Sequence, residues 1–161
     1  MLSQHCLTRM PSEQKGDPVE ARTRVLFLCT GNSARSQMAE AFLRYFAGER
    51  FEAHSAGLEP REIDPMTRRV MKEAGVDMEG QRSKGVEEYM GKMHFGFLIT
   101  LCTRSEKSCP SVFPGAGRRL EWPVEDPASV TGPERNRLAA FRRVRDELLR
   151  LVVDFAGREA D

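Results

Sequence analysis

The chain reads as an α/β protein: a three-layer sandwich with a four-stranded parallel sheet and helices on both faces. Three observations carry this. Val25-Leu26-Phe27-Leu28 and Phe95-Gly96-Phe97-Leu98-Ile99-Thr100-Leu101 are short, continuous apolar runs, as in strands buried on both sides. Stretches with helical spacing alternate with the strand candidates, which is the rhythm of βαβ units. The 161 residues suit one domain with a substantial core.

In chain order, residues Met1–Arg22 read as a tail, polar and broken by Pro11, Gly16 and Pro18. A single domain is expected over residues 23–157, and residues 158–161 form a short C-terminal tail. Val25–Leu28 is the first strand. A loop of small residues follows, then a helix from about Ser36 to Phe46, with Met38, Phe42 and Tyr45/Phe46 as its apolar stripe and Ala39 and Ala41 as close-packing positions. Phe51 to Ala56 alternates weakly and ends at Gly57, a second strand. Pro65 opens a helix to about Ala74, with Ile63, Met66, Val70 and Ala74 on one face and Gly75 as its stop. Arg82 to Lys92 holds a short helix. Phe95–Leu101 is the third strand. Cys102 to Gly117 is a long loop with room for a short helix near Arg104–Ser108. Arg119-Leu120-Glu121-Trp122 is the last strand, and Pro123 to Pro127 a rigid turn. Pro133 to Phe155 is the clearest helix, because Leu138, Phe141, Val144, Leu148, Val152 and Phe155 recur every three or four residues.

Composition excludes several classes. Lys plus Arg total 25 and Asp plus Glu 24, so there is no large basic face for nucleic acid. No apolar run is long enough for a membrane span, and the N-terminal region has no signal-peptide core. A cytoplasmic protein is expected, and a monomer. Four cysteines are too few for a disulfide scaffold, and in a reducing compartment they read as reactive, metal-binding or buried. Cys6, in the tail, reads as incidental.

The sharpest local signal is Cys29-Thr30-Gly31-Asn32-Ser33-Ala34-Arg35-Ser36, set between a buried strand and a helix. A helix start presents unpaired N–H groups and partial positive charge. Gly31 lets the loop curl so that successive amides converge. Arg35 can hold two oxygens of a tetrahedral oxyanion with its planar fork. Cys29 lies beneath that anion, and the same donors favour its thiolate, the nucleophilic form. Thr30, Gly31, Asn32, Ser33, Ala34, Arg35 and Ser36 are therefore the expected oxyanion-binding residues, Ser33 and Ser36 as hydroxyl donors and Asn32 as the lock of the turn. The loop has neither the Gly-x-Gly-x-x-Gly of dinucleotide sites nor the Gly-Lys-Ser/Thr of nucleotide loops. Cys102 ends a buried strand, at the sheet edge where open parallel sheets carry their sites. Cys109 follows in a polar loop. These two read as a redox pair, as buried thiols, or, with Cys29 and His54 or His94, as zinc ligands, although no compact Cys/His spacing supports zinc.

The stretch Cys29 to Glu40, Cys-Thr-Gly-Asn-Ser-Ala-Arg-Ser-Gln-Met-Ala-Glu, resembles the opening loop and helix of thioredoxin-coupled arsenate reductases, which are built on the low-molecular-weight protein tyrosine phosphatase fold. The likeness extends through His54-Ser55-Ala56-Gly57, Thr100-Leu101-Cys102, Cys109-Pro110 and Trp122 to Ala128, and covers about Arg24 to Phe155. It implies a three-cysteine relay that converts arsenate to arsenite: Cys29 as nucleophile, Cys102 and Cys109 as the shuttle disulfide, and thioredoxin as the external dithiol, with glutaredoxin and glutathione as other reductants. It implies no bound cofactor and no metal at the site. Asp126, before Pro127, matches the general acid of the related phosphatases. A phosphatase acting on phosphomonoesters is the alternative reading, and a non-catalytic anion sensor a third. Lys84 stands where relatives often carry an acidic residue that helps hold potassium with the equivalents of Asn32, Glu40 and Ser55. Its own charge is expected to take the ion's place.

Overall fold

The computed structural model describes residues 21–103, 105–106 and 113–159. Residues 1–20 of the tail, with Cys6, as well as Cys109 and most of the short helix expected near Arg104–Ser108, lie outside the described residues. Four strands, β1 (Thr23–Cys29), β2 (Phe51–Gly57), β3 (Phe95–Thr100) and β4 (Ala116–Glu121), form one sheet in the order β2-β1-β3-β4. Every neighbouring pair is parallel. The α-helices are α1 (Arg35–Ala47), α2 (Pro65–Glu73) and α3 (Glu134–Arg158).

Alternation along β1 explains its unbroken apolar run. Val25, Phe27 and Cys29 face the larger core, built with the inner sides of all three α-helices. Leu26 and Leu28 face a second core with Ala56, Val86, Tyr89, Phe95, Leu98 and Phe113. The short 3-10 helix Val86–Glu88 covers that second face, which is the helix expected between Arg82 and Lys92. Both faces are dry, so every second residue must be apolar on each side. The expected stripe of α3 is buried at all six positions, and Phe155 anchors it against Phe51, Phe97 and Trp122, with ring centroids 5.3, 5.0 and 5.9 Å away.

Three local expectations need correction. In α1 the buried row runs through Ala39, Leu43 and Ala47, four residues apart, beside Met38 and Phe42. Tyr45 and Phe46 fall off that row; they are 60% and 49% exposed and pack edge-on against each other. In α2 the buried residues are Met66, Thr67, Val70 and Met71, while Ala74 sits past the helix end and is exposed. β4 begins at Ala116, three residues before the expected start. It is an edge strand with an exposed, glycine-containing sequence, so backbone pairing to β3 defines it and hydrophobic pattern does not.

The register brings the functional ends together. Cys29 pairs with Gly57, and Leu28 with Thr100, so three parallel strands end at one edge. The Leu101 amide continues that pairing onto the Leu28 carbonyl at 2.8 Å. Cys29 and Cys102 therefore reach the same edge from adjacent strands. No helix of the described residues is long and apolar enough to cross a membrane.

Candidate active site

The loop after β1 is shaped by where its carbonyls go. Those of Thr30, Gly31 and Ser33 accept hydrogen bonds from the amides of Glu59, Arg61 and Asp64 at 2.9, 2.9 and 3.1 Å. The Asn32 carbonyl accepts from Gln37 Nε2 at 3.1 Å. With these carbonyls turned to other partners, the Asn32 N–H faces the sulfur and lies 3.2 Å from Cys29 Sγ. The Ser36 hydroxyl lies 2.8 Å from the same sulfur. No side chain caps the start of α1 among the described residues, so none competes there for the first-turn amides.

Asn32 locks the turn, as the sequence suggested, through both local and distant partners. It is fully buried and left-handed, with φ of 49°. Its Nδ2 donates to Ser36 Oγ and Ser55 Oγ at 2.8 and 2.9 Å. Its Oδ1 accepts from Gln37 Nε2 and the Lys84 amide at 2.8 and 2.7 Å. A buried amide with its capacity filled from three elements fixes one loop conformation. Ser33 serves the fold through its carbonyl, which also accepts from Thr67 Oγ1 at 3.0 Å.

Arg35 is only 2% exposed. Nη1 donates to the carbonyls of Leu101 and Val124 at 3.3 and 2.9 Å, which fixes the guanidinium beneath the ends of β3 and β4. Asp126 Oδ2 lies 3.8 Å from Nη2. The other carboxylate oxygen of Asp126 accepts from the Ala128 amide at 3.0 Å and caps the short helix Pro127–Ser129. Burial opposes the charge of Arg35, but its hydrogen bond to Glu106 and the nearby Cys29, Glu106 and Asp126 hold its pKa above the ordinary value.

Glu106 was not singled out by sequence. It forms a bidentate pair with Arg35 at 2.7 and 2.8 Å. The local signal was only one acid in a charged loop between two cysteines. Cys29 is a free thiol. Cys102 is disulfide-bonded. Its Sγ also lies 4.0 Å from Thr30 Oγ1, at the mouth of the loop.

His54 bonds Glu52 at 2.7 Å and Tyr89 at 3.3 Å and packs edge-on against Tyr89 and Phe95, a structural role. Among the described residues no group of three or more His, Cys, Asp or Glu could hold a metal ion. The potassium question has a direct answer in the side chains. Lys84 Nζ lies 3.5 Å from Glu40 Oε1, 3.4 Å from Ser55 Oγ and 2.9 Å from the Arg82 carbonyl. Burial lowers the Lys84 pKa and the Glu40 carboxylate opposes that loss of charge. Arg44 also pairs with Glu40. A cation set on these oxygens would meet an ammonium already there, so the residues do not fit potassium. The expected result is equal Tm in potassium and sodium chloride at matched ionic strength; a higher Tm in potassium refutes the substitution.

Fold and site together define a class: α/β proteins whose first strand delivers a cysteine into a tight loop of small residues that ends in a buried arginine. The chain belongs to the low molecular weight phosphotyrosine protein phosphatase family, whose profile matches residues 24–159. Within it, the chain is similar to proteins named arsenate reductase. That of Halalkalibacterium halodurans is 36% identical over 132 residues, covering 82% of this chain and 94% of the relative. That of Brevibacillus brevis is 37% identical over 139 residues, covering 86% and 97%. A solved structure described as an arsenate reductase in the phosphate binding state superposes with a TM-score of 0.71 at 29% identity, covering 84% of this chain and 98% of that one.

Proposed function

We propose that this chain reduces arsenate to arsenite with cysteine thiols, in a three-cysteine relay reset by thioredoxin. The observation that carries the reading is the shared edge: a free Cys29 inside the anion loop and Cys102 bordering that loop at Thr30. Similarity to arsenate reductases supports the same chemistry.

Cys29 sulfur attacks the arsenic of bound arsenate, and one oxygen leaves as water after protonation. Cys102 sulfur then attacks Cys29 sulfur. The S–As bond breaks, its electron pair reduces As(V) to As(III), and arsenite departs. Cys109 attacks Cys102 and frees Cys29 as thiolate. The Cys102–Cys109 disulfide passes to the external dithiol by exchange. Thr30 to Ser36 bind and orient the oxyanion, with Arg35 holding two of its oxygens. Asp126 supplies the proton to the departing oxygen.

The deciding experiment is NADPH oxidation by the purified protein with arsenate, thioredoxin and thioredoxin reductase. Arsenate-dependent oxidation is expected, and Cys102→Ser and Cys109→Ser should each abolish steady-state turnover. A rate that survives either variant overturns the relay. Hydrolysis of a phosphomonoester with no arsenate-dependent oxidation establishes the phosphatase reading instead.

Asp126→Asn keeps the capping oxygen toward Ala128, because asparagine is as good an N-cap as aspartate. It removes the transferable proton together with the carboxylate charge 3.8 Å from Arg35 Nη2. Single-turnover adduct formation should slow by about 10²-fold or more, with phosphate affinity unchanged within a few-fold. An unchanged single-turnover rate assigns Asp126 to the turn alone.

A further inference from the structure

Arg35 in this structure already holds an oxyanion, and it comes from the chain itself. The two carboxylate oxygens of Glu106 lie 2.7 and 2.8 Å from Nη1 and Nη2. Oε1 also accepts from Thr30 Oγ1 at 3.0 Å. Oε2 accepts from the Thr103 amide at 2.8 Å and from Thr103 Oγ1 at 3.1 Å. A carboxylate offers the fork two oxygens at nearly the spacing of an edge of phosphate or arsenate. Thr30, a residue of the anion loop, serves the carboxylate as well.

We propose that Glu106 is a built-in competitor for the oxyanion site: while Cys102 is disulfide-bonded, its carboxylate occupies the Arg35 fork that a tetrahedral oxyanion needs.

An anchoring role for Glu106 is the obvious rival, and the other contacts of Arg35 argue against it. Nη1 is tied to the Leu101 and Val124 carbonyls independently of Glu106. The guanidinium stays aimed when the carboxylate leaves, so Glu106 fills the fork without building it. The pair is no loose surface contact, since Arg35 is 2% and Glu106 20% exposed. Arg35, the Thr103 amide and Thr30 hold the Glu106 carboxyl down to about 2 against the opposing effect of burial. It stays anionic throughout the neutral range. Thr103 adjoins Cys102 in sequence, so the short segment that carries the disulfide sulfur also holds the carboxylate.

The consequence is kinetic order. An arsenate admitted while Cys102 is oxidised would form an adduct on Cys29 that Cys102 has no thiolate to resolve. Occupation by Glu106 keeps arsenate and phosphate out until the disulfide is reduced. The inference takes from the proposed function only that this loop binds tetrahedral oxyanions.

The test uses inorganic phosphate and no turnover, so arsenate reduction can fail without deciding it. Oxidised full-length protein, with its thiol count confirmed, is titrated with phosphate by calorimetry alongside Glu106→Gln and Glu106→Ala. Both variants should bind phosphate about tenfold or more tighter, the effect of removing a charge-assisted competitor. A damaged fold does not raise affinity, so a gain is not a structural artefact. Affinities equal within about twofold, or weaker binding in both variants, overturn the proposal. In reduced protein the gap between wild type and variants should shrink, and an undiminished gap overturns the link to Cys102.

Discussion

Cys29→Ser protein, given arsenate, thioredoxin and thioredoxin reductase, oxidises NADPH no faster than the reducing system alone. The expected loss is on the order of 10⁴-fold or more, the scale on which removal of a covalent nucleophile acts. Cys29 Sγ sits 3.2 Å from the Asn32 amide and 2.8 Å from the Ser36 hydroxyl, a pair of donors suited to a sulfur anion. Serine fits the same space, and its oxygen can keep both contacts, so the fold and the anion loop remain. What it lacks is a conjugate base accessible at neutral pH and a sulfur on which Cys102 could discharge an electron pair. Two controls separate these causes. Phosphate should still bind to the reduced variant, because Arg35 and the loop amides are untouched. Mass spectrometry after arsenate treatment should find no disulfide between Cys102 and position 29. Residual arsenate-dependent turnover above about 1% of wild type would mean that reduction runs through another thiol.

Much of this site was readable because its parts are local. The apolar run of β1, the small polar loop and the helix after it are consecutive, and each demands a particular residue type: apolar on both faces, small where amides converge, basic at the helix start. The C-terminal positions of β1 and β3 then placed Cys29 and Cys102 at one edge, because parallel strands deliver their ends together. The unread features depend on partners far away in sequence. Tyr45 and Phe46 fit a helical stripe as well as Leu43 does, and only packing decides that the buried row passes through residue 43. Ala116 to Arg118 carry no apolar pattern, because an edge strand with an exposed surface is held by its backbone. Glu106 is one acid among several charges, and nothing local tells that it meets Arg35, 71 positions earlier. Lys84 was legible only through the resemblance, as a basic residue at a position expected to be acidic.

Gly57 read from sequence as a strand end, and the structure gives it a larger task. It pairs with Cys29 in the sheet and lies under the anion loop. A Cβ added there would stand 2.7 Å from the Thr30 carbonyl oxygen, 2.8 Å from the Asn32 amide nitrogen and 3.0 Å from Asn32 Cβ. Two of these neighbours are backbone, and neither can swing aside as a flexible side chain would. Asn32 is further pinned by Ser36, Ser55, Gln37 and Lys84. The loop must therefore lift as a unit or β2 must withdraw. Gly57→Ala is expected to cost about 1–3 kcal/mol of stability, the usual range for overpacking, or several degrees in Tm. The larger effect falls on activity. Lifting the loop draws the Asn32 amide away from Cys29 Sγ and misplaces the oxyanion relative to Arg35, which is fixed separately by the Leu101 and Val124 carbonyls. Displacements of this kind cost about 10²-fold in rate, and the loss should appear in adduct formation at saturating arsenate as well as in phosphate affinity. A Gly57→Ala protein with wild-type turnover and Tm would show that the loop has slack here, and that close approach of β2 does not set the geometry of the site.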